Sequence, residues 1–186
     1  CITLVFVGSI TPIMRKYAIQ INAIDAPIAA HKTHKAPVPY LGGVAISIGI
    51  VAASYGAILV NNPSKENITL ASYVLIPAIL ISAMGLVDDL RGLEPWPRLI
   101  VQTLTAAVVA GTLVLTNTMG VAFQSTSLNV LVSILWIVGV CNSINFFDNL
   151  DGGAAGTVAV ITFFVFLIAF DRGQELVSAL SIVTAG

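Results

Sequence analysis

An all-α, polytopic membrane-embedded helical bundle is the fold class this chain predicts, on three observations. Of its 186 residues, 57% are hydrophobic and only 9% are charged, whereas soluble domains carry about 25% charged residues. The apolar residues gather into runs long enough for a hydrocarbon core, which takes about 20 of them. The few charges lie at the ends of those runs. The chain, 1–186, reads as a single transmembrane domain.

The first apolar run, 1–14, lacks an initiating Met and a basic front, and Arg15-Lys16 follow it. It reads as the tail of a spanning helix and not as a signal peptide. Five full spans are expected at 41–60, 70–87, 99–116, 128–147 and 154–170, and a further partial one begins at 176. Five full and two partial helices are expected to belong to a longer protein of roughly ten spans, each about 20 residues. Segments 61–69, turn-rich, and 117–127, without charge, read as plain connectors. Asn67-Ile68-Thr69 matches a glycosylation sequon, a pattern short enough to be common by chance.

Lys and Arg in short loops are retained on the cytoplasmic side. Arg15, Lys16, Lys32, Lys35, Arg91 and Arg98 follow the first and third spans, against Lys65 and Arg172 on the other side. The loop after the fifth span shares the basic side by parity, so three polar loops converge on one face, expected to be cytoplasmic. A net charge of -1 without a long basic run gives no nucleic-acid reading. Cys1 and Cys141 form no spaced pair, which supports neither a disulfide framework nor a thiolate metal site.

The first of these loops places His31, Lys32, His34 and Lys35 before Pro37 and Pro39, which restrict the backbone, and before Gly42-Gly43, which would permit close backbone approach. A rigid basic loop at headgroup level suits a phosphate; attraction to anionic lipid is the plainer reading, worth about 1 kcal/mol per basic residue. The second carries Asp88-Asp89, about 100° apart on a helix. One would face the site while the other holds Arg91 or Arg98, because the negative end of a helix disfavours acids. In the third, Asn142, Asn145, Asp148 and Asp151 recur every three residues up to Gly152-Gly153. Asn142, Asn145 and Asn149 would share a stripe with Asp148 beside it. Asp151 could also cap the next helix, with Gly152 and Gly156 as a close-packing pair.

Hard oxygen donors of Asp and Asn suit Mg²⁺, which takes one or two carboxylates together with substrate phosphate oxygens. Without a cation, four aspartates would repel a phosphate, whereas a divalent ion reverses the local field. The residue types therefore point to metal-dependent chemistry on a phosphorylated substrate at a membrane surface.

Three ordered motifs carry a more specific resemblance. They are His34-Lys35-Ala36-Pro37-Val38-Pro39-Tyr40-Leu41-Gly42-Gly43; Gly85-Leu86-Val87-Asp88-Asp89 followed by Pro95, Arg98 and Gln102; and the segment from Asn142-Ser143-Ile144-Asn145 through Asp148 and Asp151 to Gly156. With their spacing, they resemble the signatures of the polyprenyl-phosphate N-acetylhexosamine-1-phosphate transferase family, of glycosyltransferase family 4 type. The resemblance implies transfer of a sugar 1-phosphate, usually N-acetylglucosamine 1-phosphate, from a UDP-sugar such as UDP-N-acetylglucosamine to undecaprenyl or decaprenyl phosphate. UMP is released, and a cell-envelope glycopolymer is initiated, a step of cell wall biogenesis.

It further implies Mg²⁺, with Mn²⁺ as a substitute, a multi-pass place in a bacterial inner membrane with a cytoplasmic active face, and a homodimer as a family-level expectation. On resemblance, Asp88, Asp89, Asp148 and Asp151 are the catalytic acids, with Asp88, Asp89 and Asp151 as metal donors. His34 and Lys35 stand near the phosphates, and Asn142 and Asn145 line the nucleotide side. Tyr40 and Gly153 depart from the family pattern, where Arg and Leu are frequent. A further metal motif and a His-rich loop are expected beyond residue 186, so this chain alone is expected to be inactive.

A single in-line displacement by the lipid phosphate needs no strong base, because a phosphate monoester has its second pKa near 6. Asp88 is the candidate for contacting that phosphate and its proton, and Asp89 for supporting the metal or a lysine; a covalent aspartyl intermediate is the other route open to Asp. The rival readings are a secondary transporter, which would place its acids near the bilayer midplane, and a non-catalytic membrane fragment.

Overall fold

A computed structural model of the chain describes residues 2–25, 38–61, 64–120, 122–148 and 152–186. Its helices are α1 (Ile2–Gln20), α2 (Gly42–Asn61), α3 (Lys65–Arg91), α4 (Pro95–Leu115), α5 (Thr126–Phe147), α6 (Gly153–Asp171) and α7 (Glu175–Ala185). The five from α2 to α6 are long and apolar enough to cross a membrane, flanked by α1 and the short α7. The remaining regular structure among the described residues is a two-residue antiparallel ribbon, β1 (Ile24–Asp25) on β2 (Val38–Pro39), with Ile24 opposite Pro39.

Helix ends depart from the apolar runs where side chains satisfy backbone groups. The first helix does not stop at Met14 but carries Arg15 and Lys16 on to Gln20. The third starts at Lys65 because the Ser64 hydroxyl accepts the Asn67 N–H at 3.1 Å, a helix-starting cap. The sequon at Asn67 therefore lies in a helical turn and not in a connector. At its other end α3 takes in Asp88 and Asp89, which the sequence places in a loop. At 27 residues it is about 40 Å long, against roughly 30 Å of hydrocarbon.

Each helix packs against its successor, and α7 returns onto α2 and touches α1. Three-residue connections between α3 and α4 and between α6 and α7 leave room only for antiparallel neighbours. Two apolar clusters mark opposite ends of the bundle. Ala18, Ala23 and Leu41 gather Met14, Val44 and Leu86, which joins the ends of α1 and α3 to the start of α2. Ile58, Ala71 and Leu75 gather Ile68, Leu176 and Leu180 at the other end. By alternation the start of α4, the end of α5 and the start of α6 lie at the first end.

The interior is built from small side chains. Ala18, Ala45, Ala71, Ala106 and Ala110 are fully buried, Thr3, Ser54, Thr105 and Ser181 are buried beside them, and no large side chain is fully enclosed among the described residues. Large apolar side chains such as Leu135, Trp136 and Phe170 point outward. This suits a lipid solvent, in which helices associate through close packing and interhelical hydrogen bonds. Ser47 pairs with Ser82 at 2.6 Å and Tyr55 with Ser72 at 2.8 Å, both between α2 and α3. The turn before α5 is closed by Asn129, whose amide accepts the Phe123 N–H at 2.9 Å and donates to the Phe123 carbonyl at 2.8 Å.

Glycine is used for close approach at a position the motifs do not contain. A Cβ at Gly49 on α2 would run into the Val7 side chain on α1, whereas one at Gly42, Gly43, Gly152 or Gly156 would meet nothing within 4 Å. The expected close approach at Gly42-Gly43 and the packing pair at Gly152 and Gly156 are thus not features of the described bundle. A Gly49→Ala change should destabilise the α1/α2 crossing by roughly 1–3 kcal/mol, the range for overpacking. Val7→Ala in the same chain should restore most of it, as read by thermal unfolding in detergent.

Candidate functional site

Asp88 closes the turn between α3 and α4. Gly92 ends α3 in the left-handed conformation, φ 59°, and its N–H donates to the Asp88 carbonyl at 2.7 Å. The Asp88 side chain takes the next two donors. Oδ1 accepts the Leu93 N–H at 3.1 Å, and Oδ2 accepts from Arg98 Nη1 at 2.9 Å. A carboxylate at the negative end of a helix needs a compensating cation, and Arg98 supplies it from the first turn of α4. The two side chains are 20% and 28% exposed respectively, so the pair contributes on the order of 1 kcal/mol and not more.

Asp88 is therefore the acid that holds Arg98, and Asp89, about 100° further round α3, is exposed. Arg98 uses one nitrogen on Asp88, and a guanidinium carries five donors in all. It is partly open to solvent at the same end.

Pro95 opens α4 at its first position, where the missing N–H has no helical partner in any case. Arg98 and Gln102, four residues apart, lie on one face. Gln102 is 5% exposed, and its Oε1 accepts from Asn142 Nδ2 on α5 at 2.7 Å. The same Nδ2 donates to the Val138 carbonyl at 2.8 Å. Two polar contacts thus leave one face of α4 a turn apart, Arg98 to Asp88 on α3 and Gln102 to Asn142 on α5.

Asn145 and Asp148 lie one and two steps of three beyond Asn142, and both are exposed. Asp148 caps α5 in a helical backbone conformation, with its N–H on the Ile144 carbonyl at 3.1 Å. The cap of α6 is Gly152 at φ 70°, one residue beyond the position expected for Asp151. Asp151 itself, with His34, Lys35 and Asn149, lies outside the described residues.

Among the described residues no three His, Cys, Asp or Glu side chains converge. Asp89 and Asp148 are exposed carboxylates at one end of the bundle, and two such hard donors are what Mg²⁺ ordinarily takes from a protein; the donor chemistry fits. Asp88, expected as a third donor, accepts one hydrogen bond on each of its oxygens.

These acids lie at the edge of the apolar zone. Residues 67–87 of α3 carry no charge and span about 31 Å, so Asp88 is the first charge beyond a bilayer-length stretch. The transporter reading places its acids at midplane, and the described motif acids are not there.

Arg98 takes the role of acid partner that the sequence offered to it or to Arg91, whereas Gln102 stands out as a residue that motif reading left without a role. Their spacing of four behind Pro95 was the available signal.

The family model of glycosyl transferase family 4 matches residues 71–186. Among curated proteins, the chain is 30% identical over 187 residues to the probable undecaprenyl-phosphate N-acetylglucosaminyl 1-phosphate transferase of Bacillus subtilis, covering 98% of this chain and 50% of that protein. It is 27% identical over 197 residues to the decaprenyl-phosphate N-acetylglucosaminephosphotransferase of Mycobacterium tuberculosis, covering 93% and 47%. To the phospho-N-acetylmuramoyl-pentapeptide-transferase of Streptococcus pneumoniae it is 24% identical over 187 residues, covering 93% and 56%. The chain spans about half the length of the curated relatives it matches. No solved structure matches it.

Replacing Asp88 by Ala should free the Leu93 N–H and leave Arg98 without its partner, loosening the turn. We expect a loss of roughly 1.5–3 kcal/mol, the range for hydrogen bonds to a charged group, and new proteolytic cleavage at 92–94. Asp88→Asn, which keeps an acceptor for Leu93, should lose less. Equal melting and cleavage patterns in all three proteins would show that the turn does not depend on this side chain.

Proposed function

The chain belongs to glycosyl transferase family 4, and from that membership we propose that the protein containing it transfers a sugar 1-phosphate from a UDP-sugar to polyprenyl phosphate. The sugar is N-acetylglucosamine, UMP is the second product, and the transfer starts a cell-envelope glycopolymer. The observation that carries this reading is the family match across α3 to α7. The two polar pairs on one face of α4, Arg98 with Asp88 and Gln102 with Asn142, support it. The membrane is the bacterial inner membrane, with the Asp88 end of the bundle on the cytoplasmic side, in keeping with the six-to-two distribution of Lys and Arg.

In the proposed reaction an oxygen of the lipid phosphate attacks the β-phosphorus of the UDP-sugar in line. A phosphorus–oxygen bond forms to the lipid, the bond from the β-phosphorus to the bridging oxygen breaks, and UMP leaves with that oxygen. The nucleophile is largely dianionic at neutral pH, since its second pKa is near 6. The difficulty is therefore the meeting of two anions, and fixed cations aimed at the charge that develops lower that barrier.

Arg98 is the candidate phosphate ligand on this chain, with Asp88 holding it in place. Asp88 thus acts through Arg98, and the role of outward-facing acid passes to Asp89 and Asp148. Mg²⁺, when bound by Asp89 and Asp148, would supply charge neutralisation and polarise phosphate oxygens. Asn142 and Asn145 lie on the side of the nucleotide-sugar. His34, Lys35 and Asp151 keep the roles that the resemblance implies, the first two at the phosphates and the last as a metal donor.

The test is UMP release from UDP-N-acetylglucosamine with a short polyprenyl phosphate and Mg²⁺, on this chain and on the longest natural form that contains it. We expect release from the longer form. Arg98→Gln and Asp148→Asn should each lower kcat by about 100-fold, the scale of one transition-state contact. Rates within twofold of the parent in both would remove these residues from the chemistry. A protein that moves a labelled ion into proteoliposomes and releases no UMP would belong to the transporter class instead.

A further inference from the structure

We infer that Gln102 is a positioning residue that fixes the amide of Asn142, so that Asn142 offers the substrate an acceptor oxygen and no donor. The inference rests on the transferase reading and deepens it, because it states which part of the donor substrate Asn142 reads.

The orientation of both amides follows from the contacts. The Val138 carbonyl can only accept, so the atom of Asn142 that lies 2.8 Å from it is the NH₂ nitrogen. The same nitrogen lies 2.7 Å from Gln102, so the atom that Gln102 presents is its acceptor oxygen. An amide nitrogen has two protons, and the two contacts use both. No hydrogen bond engages the Asn142 Oδ1 among the described residues, and Asn142 is only half-buried. Gln102, by contrast, is 5% exposed and sits in the buried stripe of α4 with Thr105 and Ala106. Its side chain is thus confined where that of Asn142 is open.

An oxygen acceptor repels phosphate oxygens and attracts O–H or N–H groups. Held in this way, Asn142 recognises a donor group on the neutral part of the nucleotide-sugar, its base or its sugar, while the phosphates fall to Arg98. Gln102 is then coupled to Arg98 by the helix that carries both, and the two halves of the substrate are read from one face of α4.

Two variants separate this role from packing. Gln102→Glu keeps an oxygen acceptor at the same reach, whether or not it is ionised. Gln102→Met keeps the shape and lacks the acceptor. In the longest natural form of the protein, Gln102→Met should raise KM for the UDP-sugar by about tenfold, the upper range for one neutral hydrogen bond, with kcat little changed. Gln102→Glu should recover most of that affinity. Inhibition by inorganic pyrophosphate, which lacks the base and the sugar, should be the same in all three. Selective ¹⁵N-asparagine labelling in lipid nanodiscs gives a second readout that needs no turnover. The Asn142 side-chain NH₂ signal, identified by its absence in Asn142→Asp, should be protected from exchange in the parent and in Gln102→Glu, and exposed in Gln102→Met.

The reverse order, Met tolerated and Glu damaging, would show a packing role and overturn the inference. So would a protected amide with KM unchanged in Gln102→Met, or an amide equally exposed in all three proteins. If the parent releases no UMP while the amide signals behave as described, the failure lies in the transferase reading, and the substrate half of the inference falls with it.

Discussion

A membrane helix that ends in an aspartate must resolve an electrostatic conflict, because the carboxylate and the helix's own terminal carbonyls are both negative. Here Asp88 resolves it by gathering three donors within one turn: the Gly92 N–H on its carbonyl, the Leu93 N–H on one carboxylate oxygen, and Arg98 on the other. The first two contacts reverse the chain in three residues. The third fixes the rotation of α4 about its own axis, since Arg98 must face α3. Once that rotation is set, the face one turn further on is set as well, and Gln102 meets Asn142. The arrangement of the described site descends from this junction.

Elsewhere the bundle depends on contacts of another kind. Lipid offers no hydrophobic reward for pushing a large side chain inward, so the helices meet through alanine, serine and threonine, and through one glycine at the crossing of α1 and α2. Hydroxyl pairs between α2 and α3 add direction to contacts that would otherwise slide. The return of α7 onto α2 closes the order of neighbours at the end away from the acids. Of the polar side chains buried among the helices, Asn129 closes its own turn and Gln102 reaches a second helix, where its contact fixes the register between α4 and α5.

Much of this was legible in the sequence, for identifiable reasons. Apolar runs of bilayer length announce themselves through composition, and all five spanning helices fall where those runs lie. The need of an acid for Arg91 or Arg98 was readable from the helix dipole. Which acid, and which arginine, was not, because that depends on the three-residue turn. The start of α3 at Lys65 was missed because hydropathy does not register a serine cap, and its end because a charged residue stays helical when its side chain finds a donor. Glycine pairs at 42–43 and at 152 and 156 suggested close packing, yet glycine also serves turns and caps, and Gly152 is a cap. Gln102 with Asn142, separated by 40 positions, has no local signature. It requires knowing how two helices are rotated against each other.

The length of α3 has a kinetic consequence. Its uncharged stretch matches the hydrocarbon thickness, and its last turn therefore emerges at the level of the lipid headgroups. A reactant anchored in the bilayer by a hydrocarbon tail carries its polar end at that same level. Such a molecule would reach Asp89 and Arg98 by lateral diffusion within the leaflet, a search in two dimensions. Its encounter rate would follow the surface density of the lipid and the fluidity of the membrane. A water-soluble partner would instead arrive by diffusion in three dimensions, at a rate set by its bulk concentration. The two approaches would be governed by independent variables, although they end at the same few residues.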